Sequence, residues 1–224
     1  MLLSTIRSAW LRRVPMLSAP ARLTVLLSLV ALLAGGAAAV NGRLDLFQED
    51  GPFETIQALV LLAAMGVALL VVRRMGPDAP WAYGLAWICL AGALRELDTE
   101  RMLSLPDALA AATSGRGRTV TLALALLPWL LLIVQQRRRH GPTLGPWLRS
   151  PAGRLLGWGL LMIVWSQLAD RYLKTPAGHW IEEQLELLGF LLLLQLALQM
   201  ALRSWQPAGA RHMERHGGTQ VPDS

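Results

Sequence analysis

Glu96, Asp170 and Glu186 each lie in or just inside an apolar stretch of the chain, and Arg95 stands beside the first of them. A charge at the centre of a membrane-spanning helix costs about 2.5–3.5 kcal/mol, and less near the interface, unless it pairs or meets water. Carboxyl groups gathered away from water can accept and release protons within one pocket, which is the raw material of general acid–base chemistry. The same oxygen donors suit a hard divalent cation such as Mg, Ca or Mn. Arg95 and Arg171 offer planar guanidinium groups that grip phosphate or carboxylate, as on a lipid or polyprenyl headgroup. Glu96, Asp170 and Glu186 are therefore the candidate catalytic residues, and Arg95 and Arg171 the candidate anion-binding ones. Glu54, Gln57, Asp98, Gln167 and Glu183 are placed to support them.

The elements that must position these residues are apolar helices. Of 224 residues, 54% are hydrophobic and 16% charged, too few charges for a water-soluble surface. Runs such as 23–40, 53–72, 119–134 and 185–202 approach the ~20 apolar residues that span a bilayer core. Six spanning helices are expected at about 22–40, 53–72, 80–98, 119–136, 153–171 and 183–203, forming one compact all-α membrane domain over 22–203. Residues 1–21 read as a basic, amphipathic segment at the cytoplasmic membrane surface, and 204–224 as a disordered tail. Arg12 and Arg13, the apolar 23–34 and Ala37-Ala38-Ala39 also fit a cleavable signal, which would leave five helices. The long basic lead and the continuation to Val40 favour an uncleaved span.

Charge then orients the bundle. Fourteen of the 21 Lys and Arg residues fall on the side that holds both termini, and twelve of the fifteen acids fall on the other. Positive residues stay on the cytoplasmic side, so both termini are expected inside and the acids outside. A bacterial inner membrane is the expected location, from the Arg-rich, signal-like start. The net charge of +6 then reflects membrane topology and not nucleic-acid binding. Membrane lipids are the expected partners, and no motif specifies a protein partner or a cofactor.

Depth and helix polarity rank the acids. Counted from the inner anchors at 1.5 Å per residue, Arg95 and Glu96 fall ~8–9 Å inside the outer boundary and Asp170 ~6 Å inside. Glu186 falls one turn inside. Glu54 follows Gly51-Pro52 and suits a helix start, and Glu182 and Glu183 are expected in a first turn, so capping explains these three as well as function does. Asp98 and Asp170 are expected near helix carboxyl ends, which disfavour negative charge, with Arg95, Arg101 and Arg171 near enough to compensate. Glu54 and Gln57, Gln167 and Asp170 with Ser166 beside them, and Glu183 and Glu186 each share a helix face. The second, third, fifth and sixth spans are thus expected to enclose a polar cavity open to the outside, with the fourth a lipid-facing wall.

Several function classes drop out. No G-x-S-x-G, H-E-x-x-H or P-loop pattern occurs. The sole outward histidine, His179, adjoins Trp180 and suits an interfacial anchor pair better than a zinc ligand. Cys89 has no disulfide partner and reads as a small core residue. The remaining expectation is a site acting on or binding an envelope lipid or its headgroup. The alternatives are a cation- or proton-coupled carrier or sensor, and a purely structural network of ion pairs.

Overall fold

A computed structural model describes residues 18–42, 52–74, 78–96, 115–140 and 144–205, and within these the chain is helical. In chain order the helices are α1 (Ala19–Val40), α2 (Pro52–Arg73), α3 (Ala79–Glu96), α4 (Gly115–His140), α5 (Leu144–Arg149), α6 (Pro151–Tyr172) and α7 (Pro176–Trp205). Segments within α1, α2, α4 and α7 are long and apolar enough to cross a membrane, which marks the chain as a membrane protein.

Local sequence explains most of the boundaries. Pro52, Pro151 and Pro176 occupy first helical positions, where the missing N–H is no loss. Ser150 caps α6 by accepting from the Gly153 amide at 3.2 Å, and Thr175 caps α7 by accepting from the Gly178 amide at 3.1 Å. Past the end of α1, Gly42 takes a left-handed φ of 70°, a conformation suited to a helix stop.

Three expectations need correction. The last helix begins at Pro176, not 183, so Glu182 and Glu183 are not first-turn residues and have no capping role. The fourth long helix begins at Gly115, ahead of the expected 119. The unanticipated α5 precedes α6, and its Trp147 stacks on Trp81 of α3 with ring centroids 4.6 Å apart. Of the expected basic segment 1–21, residues 19–21 already belong to α1, and of the expected tail 204–224, Ser204 and Trp205 belong to α7; residues 1–17, 97–114 and 206–224 lie outside the described residues.

Helix α7 is the hub, packing along α6, α2 and α1 and more lightly on α3. The α6–α7 contact is close because Gly159 faces Gly189: a Cβ on Gly189 would sit 2.9 Å from the Gly159 carbonyl oxygen. Small residues at a crossing let two backbones approach in this way. The buried stripe of α3 is likewise made of small side chains, Ala82, Ala86, Cys89 and Ala93, each three or four residues from the last. Helix α4 packs on α3 alone among the major contacts, and the apolar segment within it has no buried residue, as a lipid-facing wall should. Tyr83, Trp87 and Trp129 donate to backbone carbonyls across this contact, at 3.0, 2.9 and 2.9 Å.

Candidate functional site

The buried stripes of α2, α3 and α7 share a pattern. Each is mostly apolar, with Gln195 an exception midway along α7, and turns polar at one end of the bundle: Gln57 on α2, Glu96 on α3, Glu183, Gln184 and Glu186 on α7. The start of α2, the end of α3, the end of α6 and the first half of α7 meet there. The Gly159–Gly189 crossing holds α6 against α7 a turn or two away, which brings Ser166 and Gln167 onto Glu186.

Glu186 is the most enclosed of the acids, 2% exposed. Its Oε1 accepts from Arg95 Nη2 at 2.9 Å, Ser166 Oγ at 3.0 Å and Gln167 Nε2 at 2.7 Å. Three donors on one oxygen replace the water a buried carboxylate gives up. Gln57 donates through Nε2 to Glu183 Oε2 at 2.7 Å and to the Glu183 carbonyl at 3.1 Å. Together these bonds tie α2, α3, α6 and α7 into one polar network.

Glu96 is treated differently. It is 7% exposed, and its Oε1 lies 3.8 Å from Arg95 Nε without a hydrogen bond. That oxygen and Gln57 Oε1 are buried acceptors with no donor, a costly condition in a dry environment. Glu96 also lies within Coulombic range of Glu186, Glu54 and Glu182, and Glu183 within range of Glu186, Glu96 and Glu54. Among the described residues, the buried Glu96 and Glu186 thus face the guanidinium of Arg95, with the buried Glu183 beside them. Arg95 itself is half exposed, 46% for its side chain, so one edge of its five-donor fork holds Glu186 while the rest reaches outward.

The structure therefore gathers Glu54, Gln57, Arg95, Glu96, Gln167, Glu183 and Glu186 at one end, as the helix faces implied. Asp98 and the side chain of Asp170 lie outside the described residues, and Arg171 is exposed. His179 faces Glu182, with Nδ1 at 3.4 Å from Oε2. Ser166 belongs to the constellation as a direct ligand of Glu186, a role its place beside Gln167 only hinted at. Among the described residues no three Asp, Glu, His or Cys side chains are disposed to hold a metal ion, so the hard divalent cation considered from sequence gains no cage there. Comparison with family models, curated proteins and solved structures finds no match for this chain.

Proposed function

We propose that this is a six-span inner-membrane protein with both termini cytoplasmic, whose acidic end binds an envelope lipid through a cationic headgroup. In this reading α3 and α6 complete the set of spans. In both, polar side chains at one end, Arg95 and Glu96 of α3 and Ser166 and Gln167 of α6, face the network. The single observation that carries the proposal is the charge balance among the described residues: three buried carboxyl groups with one guanidinium paired to them, and Glu96 Oε1 left without a hydrogen-bond donor. A site with excess buried negative charge takes up positive charge. A headgroup ammonium would donate to Glu96 Oε1 and Gln57 Oε1, and the outward edge of Arg95 would take the neighbouring phosphate. The chemistry required is thus zwitterionic, an amine beside a phosphate.

The test is a headgroup comparison by native mass spectrometry of the detergent-purified protein. We expect a phosphatidylethanolamine to bind at least ten-fold more tightly than a phosphatidylglycerol with the same chains. Equal affinity for the two lipids would overturn the reading. A second reading is favoured by the lack of a metal cage among the described residues: the positive charge is a proton, and the protein is a proton-coupled carrier or sensor. Proton flux in proteoliposomes, abolished by Glu96→Gln, is the result that would select it.

A further inference from the structure

Arg95 stands one residue before the end of α3. Helix α3 packs only lightly on α7, and it makes no major contact with α6. Helix α6 nevertheless reaches Arg95 through one atom of α7. Glu186 Oε1 accepts from Arg95 Nη2 at 2.9 Å and from Gln167 Nε2 of α6 at 2.7 Å.

That relay answers a positional problem. An arginine side chain is rich in rotamers, and its planar fork grips a ligand only when it is aimed. Its carboxylate partner is loose as well, because the last torsion of a glutamate is broad and lacks sharp staggered wells. A guanidinium tied to a carboxylate that can turn is therefore held poorly. Here the carboxylate is pinned from α6, and Gln167 is the firmer of its two α6 donors. The Ser166 hydroxyl has one proton and two acceptors in reach, the Ile163 carbonyl at 2.7 Å and Glu186 Oε1 at 3.0 Å, so that proton is shared. The Gln167 carboxamide has two N–H protons, and it faces a group that accepts, which sets its NH2 inward. Gln167 is otherwise exposed on α6, flanked by the exposed Trp165 and Leu168. Its bond to Glu186 is thus its main link to the bundle.

We infer that Gln167 is a positioning residue for the headgroup phosphate: by pinning Glu186 Oε1 it holds Arg95 with the outer edge of its fork toward the lipid. This rests on the reading of the acidic end as a headgroup site, and it assigns part of the recognition to a residue that acts through two others. The Arg95 side chain is 46% exposed, which leaves the edge away from Glu186 accessible. Without the Gln167 bond, Glu186 Oε1 keeps only Arg95 and a shared hydroxyl proton. The carboxylate then turns, the fork turns with it, and a phosphate loses its aimed partner. The amine site at Glu96 and Gln57 keeps its atoms.

Two lipids separate phosphate from amine: phosphatidylethanolamine, and an aminoethyl ether of diacylglycerol with the same chains, which keeps the amine and lacks the phosphate. Native mass spectrometry of the detergent-purified protein reads the ratio of their affinities. A general loosening of the bundle weakens both lipids and leaves that ratio unmoved. We expect the unsubstituted protein to favour phosphatidylethanolamine at least about five-fold, as a charge-assisted pair to phosphate should. Gln167→Met, which keeps the length and removes the donor, should bring the ratio below about two-fold, as should Arg95→Gln. Combining the two should change it no further, since residues acting in series are not additive. Ser166→Ala should have the smaller effect. Equal binding of phosphatidylethanolamine and phosphatidylglycerol would overturn the headgroup reading itself. With that preference present, a phosphate ratio near one in the unsubstituted protein, or a ratio that survives Gln167→Met, would overturn this inference alone. Additive effects of Gln167→Met and Arg95→Gln, or a larger effect of Ser166→Ala, would do the same.

Discussion

Glu186 and Glu96 are both buried carboxyl groups, yet their surroundings assign them opposite roles. Glu186 has three donors on one oxygen and holds the bundle together; Glu96 Oε1 has none and is free to receive a ligand. Glu186→Gln removes the charge that Arg95 meets at 2.9 Å and should destabilise the protein by about 1.5–3 kcal/mol, the range for a hydrogen bond to a charged group. The larger loss of a fully buried pair is not expected, because Arg95 is half exposed. Thermal melting in detergent reads this as a lowered midpoint; an unchanged one would contradict the scaffold role. Sequence identified both acids as costly from their depth alone. It could not separate them, because the difference lies in partners 20 and 91 positions away, Ser166 and Arg95.

Helix packing sets the precision of that arrangement. The Gly159–Gly189 crossing is what keeps Ser166 and Gln167 on Glu186, so Gly189→Ala should wedge α6 from α7. Its new Cβ would stand 2.9 Å from the Gly159 oxygen and from Ile163 Cγ1, an overpacking worth about 1–3 kcal/mol. Gly66 on α2 has nothing within 4 Å of the same position, and Gly66→Ala should leave stability unchanged or raise it by up to about 1 kcal/mol. Melting midpoints that fall equally in both variants would contradict the close crossing. The element boundaries show what sequence conveys and what it hides. Helix α2 was legible because Pro52 opens it and an unbroken apolar run follows from Ala58 to Val72. The true start of α7 was not, because Thr175 to Glu186 is polar enough to resemble a loop; the signal missed was Thr175 as cap with Pro176 after it. Helix α5 was hidden by Gly145 and Pro146, which resemble a turn.

At the scale of the whole molecule, the two ends of the bundle differ in charge. One end carries Glu96, Glu183, Glu186 and Arg95. The other carries Arg73, Arg74, Arg149 and Arg203 near helix termini, with Arg74 lying over the Trp205 ring at 5.5 Å. In the proposed topology, which follows the positive-inside rule, the arginine end faces the cytoplasm. On a Cys89→Ala background, Thr113→Cys should be labelled by an impermeant thiol reagent added outside and Gly141→Cys should not; the reverse pattern would contradict the orientation. That topology is what makes an outward headgroup site meaningful, and the proposed site's central feature is a surplus of buried negative charge among the described residues, with Glu96 Oε1 lacking a hydrogen-bond donor. Its most direct test is Glu96→Gln, followed by phosphatidylethanolamine binding and thermal melting on the same sample. The account expects binding to fall at least ten-fold while the melting midpoint holds or rises; undiminished binding, or a midpoint that collapses as for Glu186→Gln, would contradict it.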